Sequence, residues 1–352
     1  MKFYVGTYTE RKSRGIYLCE MNSVNGSISL KGLVTALPNP TYLTITPFGE
    51  FLYAVSEERN NGKRSNSLVN AFSINKRIGK LSFINSQPTR GIGPCHIATD
   101  KTSSLLFVAN YVSGSLTAFP ILQSGGIGDA CFTVSHNGRG VDKQRQESPH
   151  VHSVNISPDN KFLYVADLGI DKVMIYRVIS DEKIVVPSNP FHVSIDSGSG
   201  PRHVAFDSEG QNVYLANELS NTITVFERNK RNGGLKILQT MRMLPHSNKS
   251  EAYTADIVLS RDNKYVYTSV RGADRIFVFE RSEKDGRITA IGSFNSVASW
   301  PRAFAISPCG KYLIVAGQKN DTLAVFYLSN SPTAPVLIAK TTGISMPVCI
   351  RF

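Results

Sequence analysis

At 352 residues, 41% hydrophobic and 19% charged, the chain suits two ordinary domains or one large repeat architecture, and is too apolar to be disordered. Its net charge of +12 comes from Lys and Arg scattered along the chain, without the clustered basic residues and interleaved aromatics of a nucleic-acid groove. No stretch of about 18 apolar residues is present to span a membrane, and five cysteines without a C-x-x-C pair read as reduced thiols in a cytosol.

The chain opens on Phe3-Tyr4-Val5-Gly6-Thr7, a strand-like run followed at once by Glu10, Arg11 and Lys12, too short for a signal peptide. A motif then recurs: an apolar strand, a Ser, Thr or Asp with a partner residue, a polar pair, and a strand of the Leu-Tyr-Val-Ala kind. It is found at Thr46-Pro47, Thr99-Asp100, Ser157-Pro158, Asp207-Ser208, Ser260-Arg261 and Ser307-Pro308, at intervals of 47 to 58 residues. That period is the size of a four-stranded propeller blade. The fourth unit shows the pattern well, with strands predicted over 204–206, 213–216, 222–226 and 235–239. Asn232-Gly233-Gly234, Asp285-Gly286, Asn25-Gly26 and the weaker Ile78-Gly79 supply hairpin turns, which need positive φ.

Six complete units leave both ends over. The start matches a second strand without its first; Met346 to Phe352 matches a first strand with nothing after it. Paired together they make a seventh blade and remove the open sheet edges. The prediction is an all-β, seven-bladed β-propeller, residues 1–352 as a single domain, its ring closed by the C-terminal strand beside the N-terminal ones.

The register predicts which residues meet. In four units the inner-strand entry lies fifteen residues before the end of the second strand. Thr41, Cys95, His152, Arg202, Ala255, Arg302 and Val348 then form one ring about the axis. Tyr42, His96, Ser153, His203, Asp256, Ala303 and Cys349 form the next. Tyr8, Glu57, Tyr111, Leu168, Glu218, Arg271 and Gln318 stand at the mouth of the second strands. Ionisable residues concentrate in units three to five. His152 is either a structural histidine at a strand start or a general base. Arg202 either braces two blades or receives an oxyanion. Glu218, costly if buried alone, is either a structural ion pair or an acid–base group. With Arg271 these are the candidate catalytic residues; His150, His203, Glu57 and Asp167 are the candidates for substrate contact. The segment from His136 to Gln146 is either a lid or binding loop entering the site or an ordinary surface excursion. His150-x-His152 lacks a third ligand, so no metal is expected. The Gly-x-x-x-x-Gly-Lys-[Ser/Thr] loop is absent, and no nucleotide cofactor is expected.

Over essentially its whole length the chain resembles the lactonase family of seven-bladed propellers, which includes bacterial 6-phosphogluconolactonases and fungal carboxymuconate-cyclising enzymes. The resemblance is carried by Arg145-Gln146-Glu147-Ser148-Pro149-His150-Val151-His152 and its continuation to Asn160, by Gly200-Pro201-Arg202-His203, Asn217-Glu218-Leu219, Arg271 and Ala316-Gly317-Gln318-Lys319. It implies a site of His152, Arg202, Arg271 and Glu218. It further implies metal-independent hydrolysis of an anionic small molecule, 6-phospho-D-glucono-1,5-lactone, in the cytoplasm. A cycloisomerase or another sugar-lactone hydrolase on the same residues is the first alternative. The second is a non-catalytic scaffold that meets partners through loops such as Arg59 to Asn66.

Overall fold

The computed structural model describes residues 1–60, 63–244, 251–328 and 331–352. Seven four-stranded antiparallel sheets form a ring of blades. Numbered as the units above, their inner strands are Leu43–Ile45, Pro94–Thr99, Val151–Ile156, Pro201–Phe206, Tyr253–Leu259, Pro301–Ile306 and Pro347–Arg351. The seventh blade closes the ring as expected: Pro347–Arg351 pairs antiparallel with Lys2–Thr7, Val5 opposite Ile350 and Gly6 opposite Cys349. Gly6 is required there, because a Cβ would stand 2.4 Å from the Pro40 carbonyl oxygen of the neighbouring blade.

Burial follows position within a blade. Second strands such as Leu105–Asn110 and Asn212–Asn217 are buried along their whole length, which is why they read as continuous apolar runs. Outer strands such as Leu235–Arg242 show one face to solvent. Aliphatic and aromatic side chains fill the spaces between blades, as where Phe162, Tyr164 and Ile175 meet Val213, Leu215 and Phe226.

A recurrent polar latch crosses the same spaces. The second-strand tyrosine of one blade donates to a carbonyl in the hairpin turn of the next: Tyr53 to Gly125 (2.9 Å), Tyr164 to Gly233 (2.7 Å), Tyr214 to Gly286 (2.8 Å) and Tyr4 to Gly79 (3.0 Å). These glycines adopt the left-handed conformation that aims the carbonyl inward, with φ between 73° and 80°.

The feature that most shapes the axis is a bulge. In blades two, three, four, six and seven the inner strand carries one residue with no counterpart on the second strand: Cys95, His152, Arg202, Arg302 and Val348. In blade five, Ala255 and Asp256 oppose Ser269 alone. A bulge breaks the two-residue alternation of side chains and re-aims the extra one.

Tyr164→Phe should test the latch. It strips the buried Gly233 carbonyl of its donor and Arg228 Nε of the hydroxyl it reaches at 2.9 Å. We expect a loss of about 1–3 kcal/mol in urea unfolding.

Candidate active site at one mouth of the axial channel

A cavity of about 430 Å³ opens at one end of the axis. Its wall includes three of these five bulge residues, Cys95, His152 and Arg302, together with Thr41 of the same predicted ring; Arg202 and Val348 do not line it. Tyr8, Glu57, Tyr111, Glu218 and Arg271 come from the ends of the second strands. Five lining cations, Arg64, Arg145, Arg271, Arg302 and Lys319, face three carboxylates, Glu57, Glu218 and Glu251.

Glu218 is the centre of the network. Its Oε2 accepts from Arg202 Nε at 2.9 Å and lies 2.8 Å from Arg271 Nη2, while Oε1 accepts from Arg145 Nη2 at 2.6 Å. Arg202, directly behind, is only 1% exposed and also donates to the Ala255 carbonyl. Burial alone would raise the Glu218 carboxyl, but Arg271, Arg202, His152 and Arg145 outweigh it and hold the group well below the usual carboxylate range. Glu218 is therefore ionised across the working range of pH.

His152 Nε2 stands 3.9 Å from Glu218 Oε2, near enough for attraction and too far for a hydrogen bond. Its Nδ1 is buried with no hydrogen-bond partner among the described residues. Burial and the adjacent Arg202 keep the imidazole neutral well below the ordinary histidine range. Tyr111 meets the ring edge-on at 5.4 Å.

The structure thus brings His152, Arg202, Glu218 and Arg271 together, with Glu57 at the rim bound to Arg64 and to the Gly93 N–H. Three candidates lie elsewhere. Asp167 is fully buried and faces no cavity: its carboxylate accepts from the N–H groups of His150 and Gly169, capping a short 3₁₀ turn at Leu168–Ile170, and pairs with His136 Nδ1 at 2.7 Å. His150 does not line the cavity either. It stacks on Tyr111 at 4.4 Å and contacts the Tyr111 carbonyl and Glu147, because the bulge at His152 breaks the alternation that would have set the two histidines side by side. His203 faces a second cavity of about 310 Å³ at the other end of the channel, with Tyr42, His96, Asp256 and Arg351. There its Nδ1 meets Asp256 Oδ1 at 2.8 Å. Leu168 and Gln318 also lie off the main cavity wall: Leu168 is buried in the 3₁₀ turn, and Lys319 takes the place expected of Gln318.

Several wall residues were not singled out by register. The polar loop before His150 brings in Arg145, and is anchored by buried Gln146, which donates to the Leu168 carbonyl and Asp171. Arg145 and Arg271 lie over the Tyr253 ring at 5.4 and 5.7 Å, and Arg271 over Trp300 at 5.6 Å. Trp300 has φ 62°, a costly conformation for a bulky side chain, and its N–H is held by Asp274 Oδ1 at 2.8 Å. No sequence signal marked that left-handed turn, because an isolated tryptophan does not announce it. Arg64 comes from the Arg59–Asn66 segment expected to face partners; residues 61 and 62 of it lie outside the described residues. Among the described residues no three His, Cys, Asp or Glu side chains form a metal-binding group, and no helix is long and apolar enough to cross a membrane.

Two outcomes follow from this network. Glu218→Ala leaves buried guanidinium groups without their carboxylate and should cost about 3–5 kcal/mol in urea unfolding at pH 7. Burial holds His96, His152 and His203 neutral in the fold, well below the ordinary value. The unfolded chain takes up protons at these groups near pH 6.5, so stability should fall as pH drops below that point. Thermal unfolding at pH 5 should come at a lower temperature than at pH 7, and the drop should shrink in a His96→Asn variant.

Comparison with known proteins agrees with this architecture. The family model described as "Lactonase, 7-bladed beta-propeller" matches residues 2–352. The chain is 30% identical to a 6-phosphogluconolactonase of Bacillus subtilis over 99% of its own length and 97% of the relative's. It is 33% identical to a 6-phosphogluconolactonase of Formosa agariphila, covering 92% and 91%. Among solved structures, a periplasmic gluconolactonase of Pseudomonas aeruginosa superimposes with a TM-score of 0.93 at 30% identity, covering 99% of this chain and 98% of that one. The chain belongs to the lactonase family of seven-bladed β-propellers and is an enzyme of that family.

Proposed function

We propose that the enzyme hydrolyses a phosphorylated sugar lactone, 6-phospho-D-glucono-1,5-lactone, to the open-chain acid, a step of the pentose phosphate pathway. The observation that carries this reading is a neutral, buried histidine beside a carboxylate caged by arginines, in a cavity where cations outnumber carboxylates. The names of the similar proteins from Bacillus subtilis and Formosa agariphila support the substrate.

In this mechanism His152 takes a proton from water as its oxygen adds to the ring ester carbonyl. The carbonyl oxygen becomes an oxyanion, met by the guanidinium of Arg271, whose Nε–H has no acceptor among the described residues, with Arg202 behind it. The bond between the former carbonyl carbon and the ring oxygen then breaks, and the imidazolium returns its proton to that oxygen. The product is one hydroxy acid for one lactone and one water. Glu218 stays ionised throughout, so it is not the proton donor. It positions the arginines and stabilises the imidazolium that forms between the two steps, as the carboxylate of a triad does.

The same reading places the enzyme in a reducing compartment. None of the five cysteines is paired, and burial pushes the Cys95 thiol in the cavity wall up to about 12.

The test is turnover of the purified protein on 6-phosphogluconolactone, measured against spontaneous hydrolysis. His152→Ala should lower kcat by about 100-fold or more. Because the imidazole stays neutral in the fold, kcat/KM should hold level from pH 7 to below 6.5 before it declines. Unchanged turnover in His152→Ala would remove the proposed base. Activity on other lactones with none on this one would reassign the substrate.

A further inference from the structure

Most cations in and directly behind the cavity wall are already engaged. Arg202, Arg271 and Arg145 converge on Glu218, and Arg64 on Glu57. Two are left. Arg302, the bulge residue of blade six, is partly buried in the cavity wall. Its guanidinium lies 5.7 Å from the centre of the Tyr8 ring, and no carboxylate or hydrogen-bond acceptor meets it among the described residues. Lys319, at the rim of the same blade, holds its ammonium 3.5 Å from the centre of the Trp300 ring, again with no carboxylate beside it.

Aromatic faces hold these two cations in place without using their N–H groups. A guanidinium taken partly out of water with its donors unspent is costly to leave empty, and its planar fork matches the oxygens of a phosphate. The placement matters too. Arg302 and His152 stand three blades apart, as far as a seven-membered ring allows, yet line one cavity. A ligand with an ester carbonyl at one end and an anion at the other would reach both walls.

We propose that Arg302 and Lys319 form the phosphate subsite of this cavity, selecting 6-phosphorylated sugar acids and lactones over their unphosphorylated counterparts. The inference rests on the reaction proposed above and assigns its anion contact to residues outside the Glu218 network. Arg302 supplies the directed, two-pronged contact. Lys319, which is exposed, supplies charge at the entrance.

Trp300 is the sole tryptophan of the chain and touches Lys319, so its fluorescence reports occupancy without any turnover. The wild-type protein would be titrated with 6-phosphogluconate, gluconate and inorganic phosphate. We expect 6-phosphogluconate to bind about 10-fold or more tightly than gluconate, with phosphate competing. Arg302→Gln should reduce that preference to within about threefold, and Arg302→Lys should restore part of it. Lys319→Gln, an exposed substitution that the fold tolerates, should weaken the preference by a smaller factor. Equal wild-type affinity for the two acids, or a preference untouched by both substitutions, overturns the subsite. A protein that prefers 6-phosphogluconate through Arg302 yet fails to open the phosphorylated lactone refutes the reaction and leaves the subsite standing. One that opens this lactone without dependence on Arg302 does the reverse.

Discussion

An unpaired residue in the inner strand of most blades decides what the axis displays. A regular antiparallel pair would turn every second side chain toward the neighbouring blade. The bulge instead re-aims one extra side chain per inner strand, at the same height in blades two, three, four, six and seven. It also separates neighbours in sequence. Arg202 is drawn into the Glu218 network at one mouth, while His203, the next residue, faces the cavity at the other. The propeller can thus hold two unlike polar clusters along one channel, because the blades between them supply a rigid apolar packing that neither cluster has to provide.

Electrostatics then orders the residues so gathered. A carboxylate inside a protein is tolerated when several cations share it, and Glu218 is shared by three arginines. That arrangement explains how His152 can stay neutral beside a carboxylate that would otherwise favour its protonated form: burial and the positive charge of Arg202 prevail. The imidazole is thereby kept in its unprotonated form, while Glu218 remains close enough to attract a positive charge on the ring.

The ring of blades was legible because the repeat period, the glycine turns and the orphan strands at the two ends all point to one topology. The constant offset between inner-strand entry and second-strand end also carried the bulge, although as a count and not as a shape. For that reason it placed His152, Arg202, Glu218 and Arg271 together. It misplaced His150, because alternation was assumed through a residue where alternation fails. Asp167 looked like a site acid because it ends a second strand, as Glu218 follows one. Its lone pairs are spent on the N–H groups of a local 3₁₀ turn and on a distant histidine, neither of which spacing reveals. Arg145, Tyr253 and Trp300 reach the cavity from loops and blade edges, where reach depends on backbone turns such as the left-handed one at Trp300.

Ring closure has a consequence in time. The strand Pro347–Arg351 is hydrogen-bonded to Lys2–Thr7, residues that leave the ribosome more than three hundred positions earlier. Until those two segments meet, the first blade made waits with an unpaired edge, and the hollow at the axis has a missing wall. The hollow that holds the candidate site is therefore walled on all sides only once the two ends of the chain have paired.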